Sequence, residues 1–186
     1  MMIKTVKYFK HNKDFVLEKY GNWIDLSVSR NYSMEYLDFE ILDLGVSMQL
    51  PDWYKAEIKP RSSTFKKFGI IQTNSIGEID TEYGGMKDRW GFPALCLSKS
   101  TFIEKNSRIC QFTVKLREDA PWYMKILDLF TTIKFKEVDI LTKISRGGFG
   151  SSGTTTTNKE TTAPIKKTLG YEPTLFKLYD KKNPAR

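Results

Sequence analysis

GIIQTNSIGEIDTEYGG, residues 69–85, decides the class of this chain. Its apolar alternation is short, and Asn74, Gly77 and the Gly84–Gly85 pair cut it into tight turns, the pattern of β structure. VSMQLPDWYKAEIKP, residues 46–60, repeats it, and no long stretch keeps a helical period, so the chain is expected to be all-β. FEILDLGVSMQLP, residues 39–51, and WYKAEIKP, residues 53–60, alternate around an LPDW turn as the arms of a hairpin would. PWYMKILDLF, residues 121–130, opens on proline and spaces Trp122, Ile126, Leu127 and Phe130 near helical intervals, which allows either a short helix or a bulged strand.

With 186 residues, 40% of them hydrophobic and 28% charged, the chain is long enough for one domain with a core of its own plus an extension. The register changes at SRGGFGSSGTTTTNKETT, residues 145–162, where Gly, Ser and Thr replace the alternation. A domain over residues 1–153 and a basic C-terminal extension over 154–186 follow. The extension holds seven Lys or Arg against three acids, so half of the net charge of +8 sits in about a sixth of the chain. The modestly basic remainder suits a phosphate pocket better than a duplex-binding face, and no direct nucleic-acid binding is expected. Leu169, Tyr171, Leu175, Phe176, Leu178 and Tyr179 make the extension readable as a docked or partner-binding segment as well as a loose one. Cys96 and Cys110 lie in apolar runs without metal-ligand spacing and read as buried, reduced thiols. The N-terminus is charged throughout and no run reaches membrane-spanning length, so a soluble, cytoplasmic protein with no membrane partner is expected.

Five stretches carry chemistry. In PRSST, Arg61 brings a permanent cation, and Ser62, Ser63 and Thr64 bring donors at a strand-to-helix or strand-to-turn junction, a combination that grips phosphate or simply caps a turn. In the 69–85 stretch a hairpin with tight turns holds Asp80, a carboxylate able to serve as general base, and Tyr83, a flat wall for a sugar or base; an Asp at such a place also reads as a turn former. In SRGGFGSSG, Arg146, Phe149, Gly150, Ser151 and Ser152 combine a cation, a stacking ring and close backbone approach, where a plain linker would carry neither Arg nor Phe. GNWIDLSVS, residues 21–29, offers Asp25, and KNSRICQFTV, residues 105–114, offers Arg108 and Gln111 on a strand. A single carboxylate acting through water suffices for Mg²⁺ on a triphosphate.

The five stretches in this order resemble the motifs of the trimeric dUTP pyrophosphatase (dUTPase) family, and PRSST, FGIIQTNS and RICQF look most like the dUTPases of bacilli and their phages. The resemblance implies a jelly-roll (β-clip) subunit in a homotrimer with active sites at subunit junctions. It also implies Mg²⁺-dependent hydrolysis of dUTP to dUMP and pyrophosphate, which limits uracil in DNA and supplies dUMP for dTMP synthesis. By matching position, Asp80 activates the attacking water and Tyr83 packs under the deoxyribose. Asn74, with the backbone around Gly77 and Ile79, reads uracil. Asp25 holds Mg²⁺ through water. Ser62, Ser63 and Gln111 contact phosphates, Arg61 and Arg108 support the site, Arg146, Ser151 and Ser152 close on the γ-phosphate with Gly150, and Phe149 stacks on uracil.

Three departures stand out. Gly84 replaces a common basic residue, Asn106–Ser107 replaces Gly–Asp, and the segment from Gln111 to Arg146 is about a dozen residues longer than in compact members, with the excess near 119–132. That insertion and the extension are candidate surfaces for a regulatory protein, the role some phage members are thought to have. A dCTP deaminase-like enzyme is the other alternative, and the stacking Phe149 argues against it.

Overall fold

The computed structural model describes residues 2–148, and the side chains of Phe149, Ser151 and Ser152, Gly150 and the whole extension lie outside the described residues. Thirteen strands and two short helices are present among those described. The largest sheet runs β2(Glu18–Tyr20), β3(Trp23–Ser27), β12(Arg108–Leu116), β7(Tyr54–Pro60), β9(Gly77–Ile79), all antiparallel neighbours. A second carries β13(Thr131–Glu137), β1(Met2–Lys10) and β6(Val46–Gln49), with β1 and β13 parallel. A third carries β5(Phe39–Asp43), β10(Gly91–Cys96) and β8(Ile70–Gln72), and β4(Tyr32–Glu35) pairs with β11(Ser100–Ile103).

All four sheets contribute to one core: Val6, Leu26, Met34, Leu42, Met48, Ile58, Ile70, Phe92, Ile103 and Phe112 are buried together. Trp90 meets Phe112 edge to face at 5.1 Å between ring centroids, and Phe112 meets Phe135 at 5.9 Å, so the largest rings tie β12 to β13. β7 shows the alternation most clearly. Tyr54, Ala56 and Ile58 enter the core while Lys55 and Glu57 form the opposite face, where Lys55 reaches Glu78 at 3.1 Å and Glu118 at 2.7 Å and Glu57 reaches Lys115 at 2.5 Å. Both cysteines are free and fully buried, and burial holds the Cys110 thiol well above its ordinary range, in the protonated form.

Two expectations are corrected. The LPDW turn is not the tip of a hairpin: β6 pairs with β1 and β7 with β12 and β9, so the chain changes sheet there. Trp53 takes a left-handed φ of 69°, and the Tyr54 N–H donates to the Pro51 carbonyl at 3.1 Å to make the corner. Likewise the stretch after Gly69 is not a two-stranded hairpin. β8 pairs with β10 and β9 with β7, so residues 73–76 bridge two sheets, with Ser75 at φ 56°. Of the two readings of residues 121–130, the helix is the one formed, as α2(Trp122–Asp128) with Met124 buried; the Tyr54 hydroxyl donates to Asp128 at 2.7 Å. No helix among the described residues is long and apolar enough to cross a membrane.

His11, the chain's single histidine, follows β1 directly with its Nε2 2.9 Å from the Ser47 hydroxyl. Burial, and then the nearby Arg89 guanidinium, lower its pKa below the ordinary 6.5. The unfolded chain therefore takes up this proton first, so the contribution is complete above the unfolded value and is lost as pH falls through it toward the folded one. The melting temperature is expected to drop by roughly 1 to 3 °C from about pH 7.5 to about pH 5.5, and less in His11→Gln, as measured by thermal unfolding.

Candidate active site

The PRSST junction is strand-to-helix. β7 ends at Pro60, residues 61–63 turn, and α1(Thr64–Phe68) follows. The turn is fastened to β12, since the Arg61 N–H and the Thr64 hydroxyl both donate to the Ile109 carbonyl, at 3.2 and 2.5 Å. Thr64 is thereby 1% exposed and its hydroxyl committed, so it is no ligand donor. Ser63 caps the helix without a side-chain hydrogen bond and is half-buried, while Ser62 is exposed.

Asp25 sits opposite Gln111 across the β3–β12 pair, and Gln111 sits opposite Lys59. The Asp25 carboxylate is buried, with Oδ2 3.1 Å from Arg61 Nε and 3.4 Å from Arg108 Nη1, yet Oδ2 accepts no aligned hydrogen bond among the described residues. Arg108 also donates to Glu18 at 2.6 Å, a partner that sequence reasoning missed because it comes from the edge strand β2. Beside Asp25 and Arg108 opens a cleft of about 350 Å³ walled by Glu18, Ser27 and Asn106. Asp25, Arg61, Arg108 and Gln111 thus form one cluster.

Asp80 belongs to another. Its Oδ1 accepts the N–H groups of Glu82 at 2.8 Å and Tyr83 at 3.0 Å, which fixes the carboxylate, and its Oδ2 pairs with Arg146 Nη1 at 3.1 Å. The Tyr83 hydroxyl donates to the Arg89 carbonyl at 2.8 Å, and burial, with the Asp88 charge added, pushes its pKa up to about 12. Gly148 lies on the ring so closely that a Cβ there would come within 2.8 Å of it. The Lys143 Cδ lies 3.4 Å from the space a Gly84 Cβ would take, and its Nζ donates to the Thr81 carbonyl at 2.8 Å. Asn74 holds its turn by accepting from Gln72 Nε2 at 2.8 Å, and on β9 Gly77 packs against Ile58 while Ile79 pairs with Ala56 of the same neighbour strand β7.

The two clusters do not meet within one chain. Ile79 pairs with Ala56, which sets Asp80 level with Lys55, and Arg61, just past the end of β7, lies six residues further along the chain, about 20 Å at the rise of a strand. For a metal, the described residues contain no group of three or more His, Cys, Asp or Glu able to hold one. The donor set fits Mg²⁺ carried mainly by phosphate and water, with Asp25 as one outer carboxylate.

The family model of dUTPases matches residues 23–153. An SPbeta prophage-derived deoxyuridine 5'-triphosphate nucleotidohydrolase of Bacillus subtilis is 42% identical over 155 residues, covering 83% of this chain and 99% of the relative. Among solved structures, a dUTPase of phage phi11 of S. aureus that coordinates a structural Mg(II) ion aligns with TM-score 0.54 at 12% identity, over 62% of this chain and 93% of that one. The dUTPase of Staphylococcus bacteriophage 80alpha, described as controlling transfer of virulence genes, aligns with TM-score 0.54 at 16% identity, over 62% and 92%. A family match over most of the chain and a relative this similar along its whole length place the chain in the dUTPase family.

Proposed function

We propose that this protein hydrolyses dUTP to dUMP and pyrophosphate in the cytoplasm of a bacterial or phage-infected cell, with Asp80 as the base that activates water against the α-phosphorus. The observation that carries this reading is the division of labour on Asp80: one oxygen is tied down by two backbone N–H groups, and the other, among the described residues, meets only a guanidinium. A triphosphate that draws Arg146 to its γ-phosphate leaves Oδ2 facing the site, free to take a proton from water. Arg61 and Arg108, with Ser62, Ser63 and Gln111, supply charge and donors for the remaining phosphate oxygens, and positioning with charge neutralisation is most of what phosphoanhydride hydrolysis asks of a protein. Mg²⁺, when bound, neutralises phosphate charge, and Asp25 would hold it through water. Tyr83 lies under the deoxyribose and leaves no room for a 2′-hydroxyl, and Asn74 reads uracil with the backbone at Gly77 and Ile79. Phe149, Gly150, Ser151 and Ser152 complete the cover.

The separation of about 20 Å between Asp80 and Arg61 along β7 supports a site assembled from different copies, as in a homotrimer. The enzyme occupies residues 1–153, and 154–186 is an addition to it. A further contact with a regulatory protein is supported by α2, whose Trp122 is 74% exposed and whose neighbours Leu129 and Phe130 are exposed at 79% and 63%. Pyrophosphate release from dUTP with Mg²⁺ tests the main reading, and ammonia release from dCTP would identify the deaminase alternative instead.

A further inference from the structure

Asp88 is 0% exposed and makes no ion pair among the described residues. A carboxylate taken out of water needs compensation, and here backbone donors provide it. Oδ2 accepts the N–H of Gly85 at 2.8 Å and of Arg146 at 3.1 Å, and Oδ1 accepts that of Gly147 at 2.9 Å. Closing the turn between Gly85 and Asp88 accounts for the first of these bonds. It does not account for the other two, which come from the start of the glycine-rich motif, 58 and 59 positions along the chain. Neighbouring contacts converge on the same seam. The Lys87 N–H donates to the Ser145 hydroxyl at 2.8 Å, Gly85 bridges to Lys143, and a Cβ on Gly85 would lie 2.5 Å from the Ser145 backbone.

We infer that Asp88 is a positioning residue: its carboxylate latches the root of the glycine-rich motif to the loop that follows Asp80, which sets Arg146 on Asp80 and Gly148 on the Tyr83 ring. The kinetic part of this inference rests on the proposed roles of Asp80 and Arg146; the latch itself does not. Asn at this position keeps one acceptor oxygen but turns an NH₂ group toward a backbone N–H, setting donor against donor. Ala removes both acceptors. Gly85→Ala reaches the same seam by a different route, since its Cβ collides with Ser145 while Asp88 is untouched.

Limited trypsin digestion of the full chain, with cleavage sites identified by mass spectrometry, reads the latch without nucleotide. Cleavage after Arg146 is expected to rise about tenfold or more in Asp88→Asn, in Asp88→Ala and in Gly85→Ala, with cleavage after Arg117 unchanged. Steady-state assays with dUTP are expected to show KM raised together with a fall in kcat of about tenfold in Asp88→Asn. Should Asp88→Ala fail to fold, Asp88→Asn and Gly85→Ala decide the matter. Wild-type rates of cleavage after Arg146 in both would overturn the latch, and so would a general rise in cleavage at all sites, which marks a merely structural role. A wild-type protein inert toward dUTP would overturn the proposed activity and leave the latch to be judged on cleavage.

Discussion

Asp80→Asn is expected to lower kcat for dUTP by roughly 10²- to 10⁴-fold while nucleotide binding persists. The amide oxygen of Asn replaces Oδ1 and still accepts the Glu82 and Tyr83 N–H groups, so the local turn survives. What disappears is the basic oxygen. The ion pair with Arg146 also goes, but both side chains in it are about half exposed, at 55% and 47%, so its loss costs the fold little. Turnover measured beside binding of a non-hydrolysable imido analogue of dUTP separates the two effects. A variant that binds the analogue normally and turns over dUTP at the wild-type rate would remove Asp80 as the base.

The second large effect comes from mixing two damaged chains. Arg61→Ala and Asp80→Asn each disable one cluster, and alone each is expected to be nearly inactive. If a complete site takes its Asp80 cluster from one copy and its Arg61 cluster from another, co-assembled chains recover activity. Random mixing in equal amounts gives a junction an intact base half the time and an intact phosphate grip half the time, so roughly a quarter of wild-type turnover returns. Chains refolded together and compared with the same chains refolded apart supply the measurement. No recovery in a mixed oligomer would mean that the two clusters serve one chain's site after all.

Much of this site was legible in the sequence because its residues lie in short local patterns. Pro60 and the hydroxyls after Arg61 mark a junction at the end of a strand, though not whether a helix or a turn follows, and Gly77 with Gly84–Gly85 frame Asp80. The spacing of Trp122, Ile126 and Phe130 allowed the helix that α2 forms. Strand partnership was not legible, because it depends on residues far apart. β1 pairs with β13 some 130 positions away, and the LPDW and 73–76 turns look like hairpin tips although each joins strands of different sheets. Asp88 shows the same limit at a single residue. Nothing in GGMKDRW marks its carboxylate, whose donors at Arg146 and Gly147 arrive only when the chain folds back. Lys143, which packs beside Gly84 and donates to the Thr81 carbonyl, was hidden for the same reason.

The most direct measurement of the central claim is pyrophosphate release by the purified full-length protein with Mg²⁺ across dUTP, UTP, dTTP and dCTP. Rapid release from dUTP and little from the other three is the predicted result. Equal turnover of UTP would contradict the placement of Tyr83 under the deoxyribose, and no release from dUTP would contradict the function itself.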